Sequence, residues 1–192
     1  MALKGIGYDY KPINLLKDEL STPEFASVNP IKYVPALKLD ENTVLIESLP
    51  IIEYIDQVYT NGPPIIPKDP LKAAKARAIA SVITSSIQPF QNIGIFTKLK
   101  QMGIDEKEWA KSWIQNKFVD LEKLLEPTCG SCCVGDDITI ADLCLMPQVY
   151  NAKRFRVDVD QFKNITKIVN HLQNHQAFVV SHPDRQPDCP QQ

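Results

Sequence analysis

The sequence has little of what marks the more specialised protein classes. No apolar run approaches the roughly 20 residues needed to span a bilayer, so no membrane partner is expected. No charge of one sign dominates: 21 Lys and Arg stand against 23 Asp and Glu, a formal net charge of −2. That balance gives no reason to expect nucleic acid as a partner. Only three histidines occur, His171, His175 and His182, all late in the chain and in no motif. There is no Gly-rich phosphate loop, no visible nucleophile–base pair, no patterned pair of carboxylates, no repeat and no low-complexity segment. The first residues, Met1-Ala2-Leu3-Lys4-Gly5, lack the apolar core of a signal peptide, which makes the cytoplasm the expected address.

Five cysteines are present: Cys129, Cys132, Cys133, Cys144 and Cys189. An odd count without an export signal points to free thiols in a reducing compartment. Cys129 and Cys132 form a C-x-x-C, which leaves a redox pair or half a zinc site open as an alternative. No second Cys/His pair lies at finger-like spacing, so ordinary loop and core thiols are the plainer reading and no metal is expected.

What is present is an ordinary globular composition, 44% hydrophobic and 23% charged over 192 residues, enough for one large domain or two small ones. Ala2–Gly5 reads as the end of a helix with Gly5 as its C-cap. Residues 8–15 mix aromatic and aliphatic side chains and are predicted as a strand, with Pro12 marking an edge or bulge. Thr22-Pro23 opens a short helix. Residues 36–39 and 43–46 form a hairpin around Asp40-Glu41-Asn42. The helix predicted over 48–59 places Leu49, Ile52, Ile55 and Tyr59 on one face. Four prolines between Asn61 and Pro70 then forbid regular structure. Everything beyond reads as helix: a long run over 71–103 kinked at Pro89, a second over 105–126, a third behind the capping box Thr139-Ile140-Ala141-Asp142 to about residue 155, and two shorter ones over 161–173 and 175–180. A polar, proline-rich tail closes the chain. The expected architecture is a small α/β domain over residues 1–62 and an all-helical domain over 68–192.

Four places could carry chemistry. Val34-Pro35 precedes the first hairpin strand. An X-Pro bond has an accessible cis form, which would leave Val34's backbone free to pair with an extended ligand, but cis is only about 5–6% of such bonds, so trans is the commoner outcome. Glu47-Ser48 opens the next helix. Ser48 and unpaired amides there suit an anion, and Glu47 suits an amine, as in an amino-acid head group; a plain N-cap and a helix-dipole partner are the ordinary readings. Gln88-Pro89-Phe90-Gln91-Asn92-Ile93-Gly94 is polar where a bundle helix should be apolar, which fits either a ligand or a solvent-facing kink. Arg154, with Arg156 close by, is a ligand-facing cation or a surface charge.

Taken together, Val34-Pro35, Glu47-Ser48, the proline linker and the Thr139–Asp142 box resemble the cytosolic glutathione transferases. Finer matches resemble the zeta class, the maleylacetoacetate isomerases: Asn29-Pro30-Ile31-Lys32-Tyr33-Val34-Pro35, Ile87-Gln88-Pro89-Phe90-Gln91-Asn92, Val134-Gly135-Asp136, Ala141-Asp142-Leu143-Cys144-Leu145, Pro147-Gln148-Val149 and Ser181-His182-Pro183. The resemblance implies a thioredoxin-like domain followed by a helical one, a homodimer, and glutathione as co-substrate. It implies that Val34 pairs its backbone with the cysteinyl part of glutathione, Glu47 and Ser48 hold the γ-glutamyl end, Lys32 lies near the glycyl end, and Gln88 with the Asn92-Ile93-Gly94 turn completes the site. Arg154 would meet the carboxylates of a second substrate. The reaction implied is conversion of maleylacetoacetate to fumarylacetoacetate in tyrosine and phenylalanine breakdown, with transfer to small α-halo acids. The family's Ser-rich turn, which stabilises the thiolate, has no counterpart in these residues. It would lie upstream of Met1, and no catalytic residue is assigned here. A non-catalytic glutathione binder or dimerisation partner is therefore the alternative.

Overall fold

The computed structural model describes residues 1–189. It divides into two compact units, one of Met1–Pro63 with the tail from Ser181, the other of Pro64–Val180. The tail, expected with the helices, thus groups with the first unit.

The first unit is built on a two-stranded antiparallel sheet. Strand β1 (Ala36–Lys38) pairs with β2 (Val44–Ile46), Ala36 facing Ile46 and Lys38 facing Val44. The turn between them is fixed by Asp40, whose carboxylate accepts the Asn42 N–H at 2.8 Å, a bond that holds its carboxyl below the ordinary value. Helix α1 (Pro23–Val28) starts as predicted: Thr22 Oγ1 accepts the Phe25 N–H at 3.2 Å and Pro23 supplies a preset φ. The first residues form a 3-10 turn, Ala2–Lys4, closed by Gly5 in the left-handed region at φ 63°. Helix α2 (Ser48–Val58) buries Ile51 and Ile55, an i, i+4 pair. Its inward face is therefore centred one position away from the predicted Leu49–Ile52–Ile55–Tyr59 row, and Tyr59 lies outside the helix, exposed. Lys4 reaches Asp56 of α2 at 2.7 Å, and both side chains are buried.

Residues 8–15 are not a strand. A strand needs a neighbouring backbone to bond to, and the described residues offer this one none. The segment runs irregularly into 3-10 turns at Leu15–Lys17 and Glu19–Ser21, the first capped by Asn14.

The second unit is helical. Helix α3 (Pro70–Ser81) begins with Asp69 Oδ1 accepting the Lys72 N–H at 2.7 Å. The single kinked run expected to follow is broken earlier than Pro89. A π-helical segment occupies Val82–Ile87, a 3-10 turn Gln88–Gln91, and helix α4 Ile93–Gln101. Two hydroxyls bond back onto carbonyls here: Thr84 donates to that of Ala80 at 3.0 Å and Ser85 to that of Ser81, i−4 bonds of the kind that bend a helix. Carbonyls released by this irregularity are taken by indoles of helix α5 (Glu106–Leu125). Trp113 donates to Ser86 at 3.0 Å and Trp109 to Phe90 at 3.1 Å, and Trp113 stacks on Phe90 with centroids 4.2 Å apart.

Helix α6 (Ile140–Arg154) carries the predicted capping box and tolerates Pro147 inside it. Asp142, fully buried, accepts the Thr139 N–H at 2.8 Å, the Thr139 hydroxyl at 3.0 Å and the Cys133 N–H at 2.8 Å. The box therefore also pins the cysteine loop. Helix α7 (Lys163–Leu172) has no side-chain cap of its own. Glu122 of α5 caps it instead, accepting the Asn164 N–H at 2.6 Å and the Ile165 N–H at 3.1 Å. Helix α8 (Gln176–Val180) follows. Helix α3 packs on α6, α5 on α7, and the π segment on both α5 and α6. Phe118, Ile114, Leu121, Ile79, Ile140 and Leu145 are fully buried in this core. None of the helices is long and apolar enough to cross a membrane.

Candidate active site

The antiparallel register brings two of the predicted elements to one end of the hairpin. Ala36 and Ile46 are paired, so Val34-Pro35 before the one and Glu47-Ser48 after the other leave the same edge. The loop that delivers Val34 is held by Asn29, which is 1% exposed. Its Oδ1 accepts the Ile31 N–H at 3.2 Å, its Nδ2 donates to the Tyr33 carbonyl at 2.7 Å, and its own carbonyl accepts the Lys32 N–H at 3.0 Å. Lys32 turns this loop with φ 58° and leaves its side chain exposed. The Val34-Pro35 bond is cis, the form that the dipeptide alone makes the rarer. Val34 is exposed, and its N–H and carbonyl have no hydrogen-bond partner among the described residues.

Glu47 sits at φ 68° and ψ 133°, a backbone state that costs a non-glycine residue about 1–3 kcal/mol and gathers at functional sites. Helical bonding in α2 starts with the Ile51 N–H on the Glu47 carbonyl at 3.2 Å. The Ser48 and Leu49 N–H groups therefore lie outside the ladder, Pro50 has none to offer, and no side chain caps this terminus. Two amides, a hydroxyl and the positive end of a helix face the same opening as an exposed carboxylate. This donor set fits an extended peptide whose head carries both a carboxylate and an ammonium.

The remaining predicted residues lie in the helical unit. Gln88 donates to Asn92 Oδ1 at 2.9 Å. Asn92 stands at the start of α4, so the Asn92-Ile93-Gly94 turn is that helix's first turn, with Ile93 and Gly94 exposed. Arg154 lies exposed in the last turn of α6 and donates to Asn151 Oδ1 at 3.0 Å. Gln91 lies within the polar Gln88–Gly94 stretch, while spacing singles out neither Asn151 nor Gln148. Asn151 Nδ2 donates to Gln91 Oε1, and Gln91 Nε2 donates to Gln148 Oε1 at 2.8 Å and to the Ile87 carbonyl at 3.3 Å. Gln91 and Gln148 are buried, and Gln148 Nε2 is buried without a partner among the described residues. These groups meet across 57 to 60 residues of sequence, beyond any local signal.

Three of the five cysteines hold buried thiols. Burial pushes the Cys132 and Cys144 thiols up to about 12, with the Asp142 carboxylate adding to the shift, and raises Cys133 further for the same two reasons. Thiols so protonated at neutral pH are not nucleophiles.

Comparison with known proteins extends this reading. Residues 1–58 match the family model of the glutathione S-transferase N-terminal domain. Maleylacetoacetate isomerase of Mus musculus is 46% identical over 99% of this chain and 87% of its own length. The zeta-class glutathione S-transferase of Euphorbia esula is 40% identical over 97% of this chain and 83% of its own. Among solved structures, maleylacetoacetate isomerase from Anaeromyxobacter dehalogenans 2CP-1, with dicarboxyethyl glutathione and citrate in its active site, superposes with a TM-score of 0.87. It is 32% identical and covers 98% of this chain and 85% of its own. The two-part fold, thioredoxin-like then helical, is that of the glutathione transferases. The chain belongs to their zeta class, the maleylacetoacetate isomerase family.

Proposed function

We propose that this protein isomerises maleylacetoacetate to fumarylacetoacetate with glutathione, as a cytoplasmic homodimer serving tyrosine and phenylalanine breakdown, and that it also conjugates small α-halo acids. The observation that carries the reading is the open end of the hairpin, where Val34's unpaired backbone stands beside the uncapped N-terminus of α2 and the Glu47 carboxylate. Bound glutathione supplies a thiolate that adds reversibly to the cis double bond, letting it rotate to trans.

The chain's own groups bind and orient. The Ser48 hydroxyl and the Ser48 and Leu49 amides hold the γ-glutamyl carboxylate, and Glu47 holds the ammonium beside it. Val34 aligns the cysteinyl backbone by main-chain pairing, and Lys32 meets the glycyl carboxylate. Gln88 and the Asn92-Ile93-Gly94 turn add glutathione contacts, from this chain or from the helical domain of its partner. Arg154 takes a carboxylate of the second substrate with its remaining guanidinium N–H groups.

The test is conversion of maleylacetoacetate by the purified protein with and without glutathione, beside glutathione binding by calorimetry. Glutathione-dependent conversion is expected, and Ser48→Ala should weaken glutathione binding about tenfold through one lost charge-assisted hydrogen bond. Binding without any conversion would establish the non-catalytic alternative instead.

A further inference from the structure

A chain of amides runs from the backbone of the π segment to the exposed guanidinium of Arg154, and its polarity is fixed from the buried end. The Ile87 carbonyl can only accept. It therefore turns Gln91 Nε2 towards itself, at 3.3 Å, and towards Gln148 Oε1, at 2.8 Å. Gln91 Oε1 is left facing Asn151, which must answer with Nδ2. Asn151 Oδ1 then faces outward, where it accepts from Arg154 Nη1 at 3.0 Å. Reversing any one amide would set donor against donor or oxygen against oxygen at the next link. Gln148 shows the same demand: its oxygen is given to Gln91 while its Nε2 stays buried and unpartnered among the described residues.

The anchor is rigid. Gln91 is buried in the 3-10 turn whose Phe90 carbonyl takes the Trp109 indole at 3.1 Å and whose Phe90 ring stacks on Trp113. That turn also carries Gln88, bonded to Asn92 at 2.9 Å.

We infer that Gln91 and Asn151 are positioning residues for the second substrate: they lock the Arg154 guanidinium through one of its donors and leave the others preorganised for a dicarboxylate. The inference rests on the reading of Arg154 given under Proposed function. An arginine on the last turn of a helix is otherwise free to sample several rotamers, and ordering it before binding removes that entropy loss from the binding step.

Succinate is a saturated dicarboxylate with no double bond for a thiolate to add to, so its binding to the glutathione-loaded protein, followed by calorimetry, needs no turnover. Asn151→Ala, at a half-buried site, and the shape-conserving Gln91→Met should each weaken succinate binding about 10-fold, the scale of one hydrogen bond to a charged group, with glutathione affinity unchanged. Either change added to Arg154→Ala should have no further effect, because the group being positioned is already gone. A purely structural role for the amides would instead multiply with Arg154→Ala and weaken glutathione and succinate alike; either result overturns the inference. Weak binding in Arg154→Ala with full affinity in Asn151→Ala overturns the inference alone. Succinate binding that ignores Arg154→Ala overturns it together with the reading of Arg154.

Discussion

The two units are stabilised by different means. In the helical unit the apolar core dominates: all the large side chains buried to below 2% exposure, Phe118, Ile114 and Leu121 among them, belong to it. Among the described residues of the hairpin unit only Phe25, Ile51 and Ile55 are buried apolar ones, beside polar pins, the Lys4–Asp56 pair and the buried Asn29. A thin core suits a binding element. Val34's main chain and the first amides of α2 have no hydrogen-bond partner among the described residues. The dense core suits the other task, which is to hold the Gln91–Asn151 amides to one polarity.

The largest effects should fall on these two means of support, each in its own unit. Lys4→Met removes the ammonium that faces the buried Asp56 carboxylate at 2.7 Å and should cost about 3–5 kcal/mol. Hydrogen exchange should show the loss concentrated in residues 1–63, and Lys4→Met/Asp56→Leu should recover most of it. Phe118→Ala, which removes a buried ring stacked edge-on to Phe162 at 5.6 Å, should cost about 3–5 kcal/mol, read as lost protection in 64–180. If both variants weakened both regions equally, the contrast between the units would fail.

A smaller effect tests the π segment. Trp113→Phe keeps an aromatic ring against Phe90 but leaves the Ser86 carbonyl without its indole donor, for a loss of about 1–3 kcal/mol in denaturant melts. No change in midpoint would mean that the indole is not what satisfies that carbonyl.

The smallest effect is electrostatic. The Cys144 thiol ionises only at about 12 in the folded protein, against an ordinary 9.0, because it is buried. The unfolded chain therefore ionises first: stability is intact below an alkaline pH of about 9 and falls as pH rises from there through the folded value. Melting temperatures taken at about pH 8 and about pH 10.5 should converge in Cys144→Ala relative to the parent, since the variant lacks this linked proton. An unchanged slope would show that this thiol does not contribute.

What was legible in the sequence was local. Thr22-Pro23, Asp69-Pro70, Asp105 and the Thr139–Asp142 box each mark a helix start through atoms within three residues, and each start is where it was expected. The hairpin was legible for the same reason. What was not legible depends on distant partners or on competition. The mix of aromatic and aliphatic side chains over residues 8–15 is strand-like, yet a strand exists only beside another. The π segment carries back-bonds from the Thr84 and Ser85 hydroxyls to carbonyls four residues earlier, which no apolar period records. The buried face of α2 lies one position from its apolar period because Ile51 and Ile52 are equally apolar and only packing separates them. In the candidate site, the nearness of Val34-Pro35 to Glu47-Ser48 follows from the local hairpin, whereas Gln91, Asn151 and Gln148 become a unit only once α6 lies beside the 3-10 turn.

The Glu122 cap on α7 has a consequence for the order of assembly. A helix of ten residues is marginal on its own, and this one has no start signal within its own sequence: both oxygens that hold its first turn come from α5, about 42 residues earlier in the chain. Helix α7 is therefore a late element, one that acquires its shape by docking rather than docking with a shape already made. Its template is α5, whose Asp105 cap and 20-residue length let it form early. The same long helix that anchors the Gln88–Gln91 turn through two indoles thus also decides when the last part of the bundle can close.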